Sequence, residues 1–484
     1  MEKSSELRNK YQQREEAEAQ PELFKRKKKD MPDAERVFTL QSKLYQKAKQ
    51  DKQYKFYVLY DKMFLKHMLR EAWKQVKSNG SGPGVDGISI AMIEQQGVES
   101  YLEELGEDLR KQTYKPLPVM RVEIDKAGGG KRPLGIPTVR DRIAQTVCKM
   151  ILEPIFEADF SENSFGFRPE RSPRDAMGKI KENLKAGKTE VLDADLSKFF
   201  DTIPHDKLFK ALEERISDPR MLKLIEKWLK APVSENGQLK GGKKNKTGTP
   251  QGGVISPLLA NVYLNLLDRI VDNVRNLFQK FGCSIVRYAD DFVIMGKSIT
   301  EQVKTKLEEI IQRLELSFNL EKTRLVDATK TSFDFLGFTV RYDKDIKGRN
   351  LRYWNICPSK KSEKKLRDKV KDYLKTHGHC NAKQVATDLN KLLRGWINYF
   401  NVEGVSYPAM SNRRVRFYLC NKLTKYYKRK SQRKCRLYRQ NAFEVLVNKY
   451  GLIDPKIHFS KDLTVNACDE VYRKAVCGKT ARTV

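Results

Sequence analysis

The segment VRYADDFVIM (286–295) sets two adjacent aspartates, Asp290 and Asp291, between two apolar runs of strand length. Short apolar runs broken by a polar pair read as strand, turn, strand. Like charges side by side at the tip of a buried hairpin repel each other unless a cation neutralises them, and hard carboxylate oxygens suit Mg2+. An Asp-rich turn with no further role leaves the same local pattern. A second acidic strand shifts the balance toward the first reading. In EVLDADLSKFFD (190–201), Asp193 and Asp195 lie two apart, hence on one face of a strand whose apolar start buries it in a sheet. Carboxylates brought from two strand ends to one point are what two-metal phosphoryl or nucleotidyl transfer requires. Asp193 also fits a purely structural place on that strand.

The surrounding pattern is mixed. VMRVEIDKAGGGKRPLGIP (119–137) alternates, turns at three glycines and resumes, which predicts a β-hairpin with bases at its tip. Helical periodicity follows over 139–160, a helix is expected over 257–280 and another over 300–316, and SENGQLKGGKKNKTG (234–248) reads as a loop. Two strands near 333–342 close this body, and beyond about 350 the pattern becomes helical. The net charge of +33 is not spread evenly, because residues 351–450 hold 25 Lys+Arg against 6 Asp+Glu. Tyr, Phe and Trp are interleaved with those bases, a combination suited to RNA or single strands. Eight scattered cysteines without a CxxC pair exclude a disulfide scaffold and a zinc ribbon. No stretch reaches the roughly 18 apolar residues of a membrane span, and the polar start is expected to carry no secretory signal. The basic run KRKKK at 25–29 is either a solvated arm or an arm on phosphates.

Taken together, YADD (288–291), DADLSKFFDTIPHDKL (193–208), GTPQGGVISPLLANVYLNLLD (248–268), KRPLGIPTVRDRIAQ (131–145), SFGFRPERS (164–172), NLEKT (319–323), FLGF (335–338) and RGWINYF (394–400) occur in one order. In that order they resemble the group II intron-encoded reverse transcriptases/maturases of bacterial type, over about residues 54–440. The resemblance implies an α+β right-hand polymerase, with fingers, a palm bearing an antiparallel sheet, and an α-helical thumb/maturase domain. It implies a two-metal Mg2+ site held by Asp195, Asp290, Asp291 and the carbonyl of Leu196. Phe200 matches the aromatic that excludes a ribose 2′-OH, and Gln251 the glutamine beside the incoming nucleotide. Lys126 and Arg132 match the pair that contacts the triphosphate, although Asp125 stands where the family usually has proline. Lys322 matches a lysine proposed as general acid for pyrophosphate; alone it would read as a surface charge.

In the thumb, Leu389, Leu392, Leu393, Trp396, Tyr399 and Phe400 share an apolar stripe, while Arg394, Arg413, Arg414, Arg416, Lys428, Arg429 and Lys430 are the expected RNA contacts. The expected division is a basic helical extension (1–53), fingers and palm (54–345), thumb/maturase (346–440) and a short basic tail (441–484) that contacts DNA or RNA. That tail is expected to lack the family's His-Asn-His endonuclease. Expected partners are a group II intron RNA, a DNA target with its primer strand, and dNTPs, in a bacterial cytoplasm or nucleoid and without a membrane. The expected activity is RNA-directed DNA synthesis coupled to intron splicing and retrohoming. The alternatives are a free-standing reverse transcriptase serving host repair or defence, and a splicing cofactor whose polymerase is incidental.

Overall fold

The computed structural model describes residues 31–456 except 126–129, 236, 243–244, 251, 346–350, 430–436 and 438–439. The basic run at 25–29, Lys126, Gln251, Lys430 and most of the tail therefore lie outside the described residues. Eleven strands occur among those described: β1 (Val119–Asp125), β2 (Lys131–Ile136), β3 (Glu190–Asp195), β4 (Val233–Glu235), β5 (Gln238–Lys240), β6 (Ser284–Tyr288), β7 (Asp291–Gly296), β8 (Arg324–Asp327), β9 (Phe333–Phe335), β10 (Phe338–Lys344) and β11 (Arg352–Pro358). They form three sheets, ordered β2-β1-β4-β5, β6-β7-β3-β8 and β11-β10-β9.

The central sheet, β6-β7-β3-β8, is antiparallel throughout and is covered on both faces. Side chains alternate across a strand, so each face draws on every second residue. Leu192, Ala194, Phe292 and Ile294 join a first core with the Val139–Glu157 and Ser256–Asp272 helices. Val191, Val293 and Met295 join a second core with β9–β11 and the Lys360–Thr376 and Ala382–Phe400 helices. Strands buried on both faces show continuous apolar runs rather than strict alternation, as 292–295 do. The α+β right-hand arrangement expected from the sequence is the one observed.

Three local expectations change. The helix expected over 257–280 ends at Asp272, and a separate short turn, Leu277–Lys280, follows with Asn276 accepting from the Gln279 amide as its cap. The loop expected over 234–248 contains the β4–β5 hairpin, whose Asn-Gly pair at 236–237 is a hairpin signal, with Gly237 at φ +82°. Residues 352–358 are not helical but form β11, in register with β10 from Phe338↔Pro358 to Lys344↔Arg352. Tyr353, Trp354 and Ile356 favour a strand, which the lysine-rich composition around them obscures. At the other end, the Asp33–Gln50 helix places Val37, Leu44 and Ala48 in the first core, and the buried Arg215 side chain holds the Ala48 carbonyl.

Candidate active site

The register of the central sheet sets Asp195, the last residue of β3, directly opposite Asp291, the first of β7. Residues so paired have Cβ atoms about 4.5–5.5 Å apart and point to the same face. Asp290 sits beside them in the two-residue turn between β6 and β7, and Leu196 follows buried, bridged to Phe318. The carboxylates expected from two strand ends thus meet at one end of the sheet. Asp193, one pleat back, faces Arg324 across the β3–β8 pairing at 3.5 Å, the structural place left open for it.

Asp195 is already occupied on one oxygen. Its Oδ2 accepts from Lys322 Nζ at 2.9 Å and from Asn319 Nδ2 at 3.1 Å, while its main-chain oxygen accepts from the Asn319 amide at 2.8 Å. The same hydrogen bond raises the pKa of Lys322 and keeps it protonated. As placed, this lysine neutralises Asp195; donating a proton elsewhere requires it to leave that carboxylate. Asp291 is exposed by surface area yet walled by protein, and that desolvation, followed by Asp290, Asp195 and Asp193, pushes its pKa up to about 7 against the pull of Lys322. Among the described residues no three acid, histidine or cysteine side chains are grouped closely enough to hold a metal ion as they stand. The donor set still fits a hard divalent cation, because Asp291 stands in an excess of negative charge that one cation fails to balance.

The turn carrying Asp290 is held from beneath by residues that the sequence reading passed over. Arg287 is fully buried; its Nε lies 2.8 and 3.0 Å from the Asp268 oxygens, and its Nη1 donates to Asn261 Oδ1 and to the Ala289 carbonyl, both at 2.9 Å. Asn261 in turn donates to the Gly166 carbonyl at 2.7 Å. A side chain at Gly166 would start 2.3 Å from the Ala289 nitrogen, so only glycine lets the SFGF segment lie against the turn. Ala289 has φ +59°, a left-handed backbone costly for a residue with a Cβ, which this clamp holds in place. The available signal was polar Asn261 and Asp268 seven residues apart in a largely apolar helix.

Phe200 lies in the short Phe199–Thr202 helix, half-buried, its ring 5.4 Å from that of Phe199. The GTPQGG segment is zipped to this helix: the Thr249 amide donates to Phe200 O at 2.7 Å, the Gly248 amide to Ile203 O at 2.8 Å, and His205 Nε2 to Gly248 O at 2.7 Å. Buried Gln145 accepts from the Val254 amide at 2.9 Å and steadies the far side of the segment. Gly252, at φ +108°, stands where a Cβ would meet the Gly135 carbonyl of β2 at 2.2 Å. The chain next to Gln251 is therefore pressed against the strand that bears Arg132. Arg132 pairs with Ile124 in the β1–β2 register, and its side chain lies outside the described residues.

Comparison with known proteins matches residues 124–340 to a family described as reverse transcriptase (RNA-dependent DNA polymerase) and residues 363–441 to one described as the group II intron, maturase-specific domain. Protein YkfC of Escherichia coli is 37% identical over 314 residues, 58% of this chain and 81% of that protein. The chain belongs to the group II intron-encoded reverse transcriptases/maturases. The group II intron-encoded protein LtrA of Lactococcus lactis is 32% identical over 304 residues, 50% of each chain. An uncharacterized 91 kDa protein in the cob intron of Schizosaccharomyces pombe is 28% identical over 426 residues, 72% of this chain and 50% of that one. The chain thus spans about half the length of these two intron relatives. Reverse transcriptases of this kind generally use Mg2+, and the maturase domain implies RNA binding. Among the described residues no helix is long and apolar enough to cross a membrane.

In the maturase-domain helices of this group II protein, Arg394, Arg413, Lys428 and Arg429 are exposed. Arg414, exposed as well, donates to buried Glu363, and half-buried Arg416 lies 2.8 Å from Asp454 and 3.1 Å from Glu444. These two arginines also join helices within the fold. The expected stripe is observed, with Leu389, Leu393, Trp396 and Phe400 buried and Leu392 and Tyr399 packed at its edge.

Proposed function

We propose that the chain is the RNA-directed DNA polymerase and maturase of a group II intron: it binds the intron RNA, assists its splicing and copies it by target-primed reverse transcription during retrohoming. The observation that carries the polymerase half is the pairing of Asp195 with Asp291 at a sheet end completed by Asp290. Asp195, Asp290, Asp291 and the Leu196 carbonyl would hold Mg2+, whose chemistry there is activation of the primer 3′-oxygen and charge neutralisation on the leaving pyrophosphate. Lys126, Arg132 and Gln251 hold the dNTP by its triphosphate and base-proximal edge, and Phe200 lies against the sugar and excludes a 2′-OH. Lys322, released from Asp195, supplies a proton to pyrophosphate. Arg394, Arg413, Arg414, Arg416, Lys428, Arg429 and Lys430 face the RNA backbone, and the DNA target and primer complete the partners.

The proposed division is an extension to 53, fingers and palm to 345, thumb/maturase to 440 and a nucleic-acid-contacting tail, working in a bacterial cytoplasm or nucleoid. The test pairs two measurements on one preparation. Asp290→Ala should abolish primer extension on an RNA template while leaving RNA affinity within about twofold; undiminished extension removes the metal assignment. Sequencing of the RNA that co-purifies through a high-salt wash should return one long structured species whose excision the protein accelerates. A salt-labile mixture with robust extension would replace the maturase reading with a free-standing reverse transcriptase.

A further inference from the structure

The Ala409–Arg429 helix carries seven lysines and arginines and no acid. Three of its sides are occupied. Val415, Leu419, Leu423 and Tyr427 enter the second core; Tyr418 Oη donates to Arg367 O at 2.9 Å on the Lys360–Thr376 side; and Arg416 meets Glu444 and Asp454 beside the Ala442–Tyr450 helix. The remaining face, at three- and four-residue spacing, presents Met410, Arg413, Phe417, Asn421, Lys425 and Lys428, all exposed. Phe417 stands out at 70% exposed, and Met410, itself 52% exposed, has its sulfur 3.9 Å from Arg413 Nη1 one turn away.

A single exposed apolar residue needs no explanation by itself. This one is a flat ring at the middle of a helix face with bases on both sides and no acid to repel a polyanion. Along the helix axis, Arg413 lies about 6 Å before Phe417 and Lys425 about 12 Å after it, so the ring sits within a row of bases long enough to follow several nucleotides of a strand. A duplex keeps its base faces inside the stack, so it offers this ring nothing, whereas an unpaired nucleotide offers a face on either side.

We propose that the outer face of the Ala409–Arg429 helix binds an unpaired segment of RNA, with Phe417 stacking on a base and Arg413, Lys425 and Lys428 on the neighbouring phosphates. The inference rests on the RNA-binding reading above and adds to it the kind of RNA bound and an aromatic contact.

The experiment uses the full chain and two fluorescently labelled RNA hairpins of equal length, one fully paired and one with a three-adenine bulge, with anisotropy read at two salt concentrations. Phe417→Ala should weaken binding of the bulged RNA by roughly tenfold, as loss of one base–aromatic stack does, and change the paired RNA by less than twofold. Phe417→Trp should restore the bulged-RNA affinity. Because Phe417 is exposed, the melting temperature of either variant should stay that of the parent. Equal losses on both RNAs, or no loss on the bulged one, overturn the stacking assignment while leaving RNA binding in place. If the parent protein binds neither RNA measurably, the RNA-binding reading itself falls. If Phe417→Ala instead changes the mass in light scattering with RNA affinity unchanged, the face joins two copies of the chain and the inference is wrong.

Discussion

Asp268→Ala tests whether the buried arginine beneath the YADD turn is what holds Asp290 and Asp291 in place. Arg287 and Asp268 are both without side-chain exposure, and the carboxylate accepts from Nε and Nη2. Removing one partner of a buried pair strands the other charge and costs about 3–5 kcal/mol. For a unit of this size each kcal/mol is about 2–4 °C, so a fall of roughly 6–20 °C in melting temperature is expected. The stranded guanidinium also donates to Ala289 O, so the turn should shift with it. Single-nucleotide extension should then fall by on the order of 100-fold, the effect of a displacement near 1 Å in reacting groups. The double change Arg287→Met with Asp268→Leu separates the two effects. It replaces the charges with packed apolar groups, which is often neutral for stability, yet leaves Ala289 O without its donor. Recovered melting with persistently slow extension is the expected outcome. A single Asp268→Ala variant that melts within 2 °C of the parent would refute the argument, as would a double variant with full extension.

Gly166→Ala pushes a methyl group into the Ala289 nitrogen at 2.3 Å, with backbone on both sides and nothing flexible to yield; extension should drop at least tenfold in a steady-state assay. Phe200→Ala should admit ribonucleotides, read as a smaller ratio of dNTP to rNTP incorporation, whereas unchanged discrimination removes Phe200 from that role. The raised pKa of Asp291 has a defined sign. Its carboxyl stays protonated in the folded chain up to about 7, while the unfolded chain ionises it near 4, so in chelator its contribution to stability is full below about pH 4 and is lost as pH rises to about 7. The difference in melting temperature between the parent and Asp291→Asn should follow that window, and a difference that is flat from pH 5 to 8 would contradict it.

Much of the active site was legible because its parts are local. The pair at 290–291 and the spacing of Asp193 and Asp195 announce acidic strand ends, and strand period 2 puts Asp193 and Asp195 on one face. The helical stripe from Leu389 to Phe400 is equally local and packs as read. Hairpin β1–β2 was visible through its three glycines. What tertiary structure decided are the pairings between distant segments. Register alone puts Asp195 opposite Asp291 rather than one residue along, where the carboxylates would point to opposite faces. The clamp joins Arg287 to Asp268, Asn261 and, through Asn261, to Gly166, contacts that leave no periodic trace in any one segment. The basic count of the thumb could not show that Glu363, Glu444 and Asp454 claim two of its arginines, because an ion pair depends on which helices meet. Composition and period determine which groups a chain possesses and which face each takes. Packing determines which of those charges remain free for a ligand, since a buried carboxylate secures its partner before any RNA arrives.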